Sequence, residues 1–110
     1  METIDELKKN FVQYVNEQSN AFAEGNGKKA NRFHKKIQDL YLKVSTLYGS
    51  EEFEEFLYSE NENVKLWASC FCMEIYPDKS RQNLQDLLKS SEPIISLAAK
   101  MKLESGRFNF

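Results

Sequence analysis

Apolar residues recur at intervals of three and four along most of the chain, the spacing of amphipathic helices. A first helix is expected from Thr3. Thr3-Ile4-Asp5-Glu6 is a capping box, in which the threonine hydroxyl accepts from a first-turn N–H and the glutamate reaches back. Ile4, Leu7, Phe11, Tyr14, Val15 and Phe22 then share one face, and Gly25-Asn26-Gly27 stops the helix. A second helix, from about Lys28 to Tyr48, gathers Ala30, Phe33, Ile37, Leu40, Tyr41, Val44, Leu47 and Tyr48 into an arc of about 120°, the width of a face that packs on a bundle. Leu42 falls outside that arc, on the polar side.

Gly49-Ser50 breaks the pattern, and Ser50 is the expected N-cap of a short third helix ending near Tyr58, with Phe53, Phe56 and Leu57 inward. Glu60-Asn61-Glu62-Asn63 reads as a polar link. The fourth helix, about Glu62 to Ile75, is apolar almost all round, so it is expected at the centre, with Lys65 and Ser69 as its wet strip. Pro77 is expected to end it, and Asp78 or Ser80 to cap a fifth helix carrying Leu84, Leu87 and Leu88. Ser90-Ser91-Glu92 leads to Pro93, a favoured residue at the start of a sixth helix. That helix carries Ile94, Leu97, Ala98 and Met101, with Ile95, Ala99 and Leu103, and is expected to stop at Gly106 before an aromatic tail, Phe108 and Phe110. No segment of useful length alternates with a period of two. The reading is all-α: five to six antiparallel helices in a single domain over residues 1–110.

Composition supports this class. Gly numbers 4 and Pro 2, too few for a turn-rich sheet protein. Hydrophobic residues make up 41% and charged residues 29%, which suits a folded globule rather than disorder. The start Met1-Glu2-Thr3-Ile4-Asp5 has neither a basic nor an apolar run, so no leader is expected, and no stretch reaches the length of a membrane span. Localisation is therefore expected to be cytoplasmic. Cys70 and Cys72, two apart on a helix, point roughly 200° from one another and cannot share a metal. They read as reduced thiols filling the core.

The formal net charge of −2 argues against a general nucleic-acid coater. Resolved along the chain, it separates into two blocks. Residues 51–62 hold Glu51, Glu52, Glu54, Glu55, Glu60 and Glu62 and no base. Residues 28–43 hold Lys28, Lys29, Arg32, Lys35, Lys36 and Lys43 against Asp39 alone. Each charged set lies opposite its own apolar face, so packing through the apolar faces turns both outward.

The segment from Asn63 to Asp78, with Val64-Lys65-Leu66-Trp67-Ala68 followed by an apolar run and a Pro/Asp turn, looks like a HEAT-type repeat helix. Together with Lys29-Ala30-Asn31-Arg32-Phe33 and Ala98-Ala99-Lys100-Met101-Lys102-Leu103-Glu104, it resembles the bacterial family called domain of unknown function 2019. The chain departs from that family at Ser105-Gly106, where a tryptophan often stands. The resemblance implies a small HEAT-like α-α repeat or superhelical bundle, residues 62–104 being the repeat portion, with no known catalytic residues. By analogy with small helical proteins of that type, it also raises the expectation of an immunity protein encoded beside a toxin, as in contact-dependent growth inhibition.

Catalytic chemistry finds little support. His34 is the one histidine and sits at the edge of the second helix's apolar arc, where a structural role is the ordinary one. Glu74 falls between two apolar arcs of the fourth helix; buried, it would need a partner such as Arg81, and at the helix end a solvated rim is the simpler expectation. No nucleophile triad, phosphate loop or metal cluster is legible, and no cofactor or small-molecule substrate is expected. The acidic segment reads either as a solvated face that balances the basic helix or as a docking surface. In the docking reading, Glu51, Glu52, Glu54, Glu55, Glu60 and Glu62, with Tyr58 as anchor, imitate phosphates and cover the substrate groove of a toxin, a basic nuclease being the expected kind. The rivals are a helical-repeat adaptor using the same surface for another protein, and a weak nucleic-acid binder using Lys28, Lys29, Arg32, Lys35, Lys36 and Lys43.

Overall fold

A computed structural model describes residues 2–105; the expectations placed on Gly106 and on the Phe108 and Phe110 tail lie outside the described residues. Among the described residues the chain is all-α. Its elements are α1 (Ile4–Ala23), α2 (Gly27–Leu47), a 3-10 helix (Ser50–Tyr58), α3 (Glu62–Phe71), α4 (Pro77–Leu87) and α5 (Pro93–Ser105). None of these helices is long and apolar enough to cross a membrane. The chain forms two compact units, Met1–Glu52 and Phe53–Phe110.

The first unit is built on the α1–α2 hairpin. Thr3 accepts from the Glu6 N–H at 3.2 Å. This is the cap that the Thr-x-x-Glu spacing predicts. Gly25 takes φ +73°. Glycine adopts this left-handed conformation without a Cβ clash, and so lets the chain leave α1. Asn26 then caps α2 by accepting from the Lys29 N–H at 3.1 Å, satisfying one of the first-turn donors. Partners run in opposite order along the two helices: Glu2 meets Lys43, Tyr14 meets Phe33 and Glu17 meets Lys29, so the pair is antiparallel. Leu7, Phe11, Val15 and Ala21 of α1 are buried, as are Ala30, Ile37, Leu40 and Val44 of α2. Leu42, off the apolar arc, is exposed as its position predicts; Leu47 and Tyr48, placed on the arc, are exposed too, at the C-terminal end of α2.

The second unit centres on α3, as expected for a helix that is apolar all round. Every residue from Leu66 to Cys70 is buried. Leu66, Cys70 and Met73 form one cluster with Leu84 and Leu87 of α4 and Ile95 and Ala99 of α5. Trp67 and Phe71 meet at 5.7 Å between ring centroids, and Phe53 closes on Phe71 at 5.2 Å. Both pairs are tilted, within the favoured separation of aromatic rings.

Several details differ from the sequence reading. Ser50 is not an N-cap: it lies within the 3-10 helix, and its hydroxyl sits 3.2 Å from that of Tyr41. Asn61, assigned to a link, is the cap of α3 and accepts from the N–H groups of Asn63 and Val64. α3 ends at Phe71, because Cys72 has already left helical geometry at φ −97°, ψ 6°. Pro77 consequently opens α4 rather than ending α3; its missing N–H is needed by no partner in a first turn. Neither Asp78 nor Ser80 caps α4, since both lie inside it. Ile75, beyond the end of α3, is exposed. Ser69, assigned to a wet strip, is fully buried. On α5 the buried side is Ile95, Ala99 and Lys102, while Ile94, Leu97 and Met101 are exposed. That helix has apolar residues on more than one face, and packing on α3 and α4 selects only one.

Candidate functional site

The first part of the acidic segment folds as the 3-10 helix Ser50–Tyr58, with three residues per turn, so positions three apart stack on one edge; Glu60 follows that helix and Glu62 opens α3. Phe53 and Leu57 turn inward and are buried; Glu55 and Tyr58 share an outward edge. The six carboxylates are divided between the two units. Glu51 and Glu52 belong to the first. Glu52 is half-buried and ion-paired with Lys8 at 3.1 Å, and the Glu51 carboxylate lies over Gly49 where a Cβ would otherwise stand. Gly49 has φ +105°. A side chain there would suffer backbone strain, whereas the flexible Glu51 side chain can swing aside.

The second unit carries Glu54, Glu55, Tyr58, Glu60 and Glu62. Glu54, Glu55 and Glu60 are exposed, and Tyr58 has 64% of its surface in solvent. Glu54 accepts from the Tyr76 hydroxyl at 3.2 Å. Glu62 is half-buried in the first turn of α3, where the helix dipole favours a carboxylate. It accepts from the Ser90 hydroxyl at 2.9 Å. A base absent from the local sequence arrives from α4: the Lys79 ammonium stands 4.7 Å from the Tyr58 ring centroid, within cation–π range. The face is thus a mixed one, exposed carboxylates with a tyrosine backed by a lysine.

What holds this segment is a residue the hydropathy pattern passed over. Asn83 of α4 is fully buried. Its amide nitrogen donates to the Leu57 carbonyl at 2.8 Å and to the Ser69 hydroxyl at 3.1 Å, and Ser69 donates onward to the Lys65 carbonyl at 2.7 Å. One side chain therefore ties the end of the 3-10 helix, next to Tyr58, to α3 and α4. The only available signal was chemical: an asparagine one position before Leu84, inside a helix it does not favour, asks for a reason.

The basic face belongs to the first unit, and its six cations fall into two classes. Lys29 pairs with Glu17 at 3.4 Å, Lys35 with Asp39 at 3.3 Å and Lys43 with Glu2 at 3.2 Å. Lys28, Arg32 and Lys36 have no carboxylate within ion-pair distance among the described residues. The Lys36 ammonium instead lies 4.9 Å from the Phe33 ring and 5.5 Å from that of Tyr14, and the Arg32 guanidinium 5.9 Å from Phe33. All of these lie within reach of the ring quadrupole.

The remaining candidates are structural. His34 is half-buried, with Nδ1 3.3 Å from the amide nitrogen of buried Gln18. Glu74 is exposed, on the solvated rim expected of its position. Burial pushes both thiols up to about 12, with the Lys102 charge opposing the shift at Cys70 and the Glu54 charge adding to it at Cys72. Thiols held neutral in this way are poor nucleophiles at neutral pH. Burial also lowers the Lys102 ammonium from its usual range, against the effect of Cys70. No group of three or more His, Cys, Asp or Glu side chains placed to hold a metal occurs among the described residues. Comparison with family models, curated proteins and solved structures finds no match. The family resemblance therefore stands on its short motifs alone.

Proposed function

We propose that this protein is a non-catalytic binding protein whose acidic face docks on a basic protein surface and occludes it. The partner class that fits is a toxin with a basic groove, a nuclease above all, which makes the chain an immunity protein acting in the cytoplasm. The observation that carries the reading is Tyr58, a large side chain 64% exposed, next to exposed Glu54, Glu55 and Glu60. Tyrosine supplies contact area at low entropy cost, and the exposed carboxylates beside it outnumber Lys79 and steer an oppositely charged partner. Inhibition in this reading is by coverage and needs no chemistry. Glu62 contributes field more than contact, since its carboxylate is engaged by Ser90.

The reading expects a neighbouring gene for a large secreted protein with a variable C-terminal domain. Co-expressing that domain with this chain should restore growth. Undiminished killing, with both proteins made in soluble form, would refute the reading.

A further inference from the structure

The three cations of α2 that lack carboxylate partners occupy positions 28, 32 and 36. Residues four apart on a helix stand roughly 6 Å apart along the axis and turn about 40° around it. Lys28, Arg32 and Lys36 therefore form a slanted row that rises about 12 Å and sweeps about 80° around α2. All three are exposed. The other three basic residues of this helix are neutralised locally by Glu17, Asp39 and Glu2, so the face carries an ordered row of net positive charge rather than a diffuse one. Two of the three are also pre-positioned. Phe33 and Tyr14, half-buried and 5.9 Å apart, form an aromatic floor beneath Lys36, and Phe33 also supports Arg32. Holding the head groups over rings reduces the side-chain freedom that binding would otherwise cost. Lys28 lies in the first turn of α2, where the positive end of the helix dipole adds to its charge.

We infer that this row is a binding site for the phosphodiester backbone of a single-stranded nucleic acid, one phosphate per cation. The rise between neighbours is comparable with one nucleotide of an extended strand, and three successive cations satisfy one strand without reading its bases. A duplex presents two curved rails of phosphates. Among the described residues, the rest of this unit offers no second row to meet them: Lys8 is bound to Glu52, and Lys9 stands alone on α1. The site lies on the first unit and does not depend on the acidic face of the second.

The test is fluorescence anisotropy with labelled oligothymidylate and oligouridylate, repeated with a duplex, from about 50 mM salt upward. Wild type should bind single strands weakly, with a log–log salt slope of about −2, as expected for three phosphate contacts. The triple variant Lys28→Gln/Arg32→Gln/Lys36→Gln should lose at least about tenfold in affinity. Arg81→Gln/Lys89→Gln/Lys100→Gln, which removes the same charge from exposed positions on and beside α4 and α5, should stay within about threefold of wild type. Circular dichroism confirms that both variants are folded. Absence of wild-type binding at low salt, equal losses in the two triple variants, or tighter binding of the duplex would each overturn the inference.

Discussion

Asn83→Ala isolates the tie between the acidic segment and the core of the second unit. The substitution removes two hydrogen bonds, to the Leu57 carbonyl and to the Ser69 hydroxyl, from a site with no solvent access. Each bond contributes about 1 kcal/mol net, and the desolvated carbonyl left behind adds a further penalty. Against this, Asn83 Oδ1 has no partner among the described residues, so truncation also relieves one buried polar atom. The balance is a loss of about 1–3 kcal/mol, a large share of the stability of a small domain. Urea denaturation followed by tryptophan fluorescence reads it directly, because Trp67 lies in the same unit. Ser69→Ala should cost about 1–2 kcal/mol, since it removes the bond accepted from Asn83 and the one donated to the Lys65 carbonyl but leaves the Asn83 bond to Leu57 in place. The double variant should cost less than the sum of the singles, because the two share a bond. A loss below about 0.5 kcal/mol in Asn83→Ala, or strict additivity with Ser69→Ala, would refute the claim that this amide anchors the 3-10 helix.

Other outcomes follow from packing and titration. Trp67→Ala should cost about 3–5 kcal/mol, and Phe71→Ala less because Phe71 is only half-buried; a reversed order in denaturation midpoints would contradict the placement of α3. Both folded-state thiols titrate near 12 against an ordinary 9, so only the unfolded chain ionises them above pH 9, and stability falls as pH rises through that window. Relative to Cys70→Ala/Cys72→Ala, wild type should lose an extra amount of about 1 kcal/mol per thiol between pH 7 and pH 10; parallel pH profiles would contradict the burial of the thiols. Lys8→Gln should change stability by less than about 1 kcal/mol, because its pair with Glu52 is partly solvated; a larger loss at high salt would show that Lys8 does more than pair with it.

The helical architecture was legible because it rests on local rules. The Thr3 cap, the glycine stop at Gly25 and the three-four spacing of α1 and α2 each act within a few residues. The all-round apolar pattern of residues 64–72 likewise marked the most buried helix before any partner was known. What escaped was set by tertiary contacts. Ser69 and Asn83 are polar, so hydropathy sends them outward, yet each is buried because the other supplies a partner. Lys79 reaches Tyr58 only because α4 folds back on the 3-10 helix, and a count along residues 51–62 cannot register it. The basic stripe of α2 was visible as charge. Its division into paired and unpaired cations depends on Glu2 and Glu17 of the facing helix.

The acidic face is tested most directly by the association kinetics of Glu54→Lys/Glu55→Lys with the toxin domain that wild type neutralises. Opposite charges at this face should make wild-type association fast at low salt and strongly slowed by added salt. The charge-reversed variant should associate at least about tenfold more slowly at low salt and show a much flatter salt dependence, with its fold intact by circular dichroism. Unchanged association rates and an unchanged salt dependence would place the docking surface elsewhere and contradict the account.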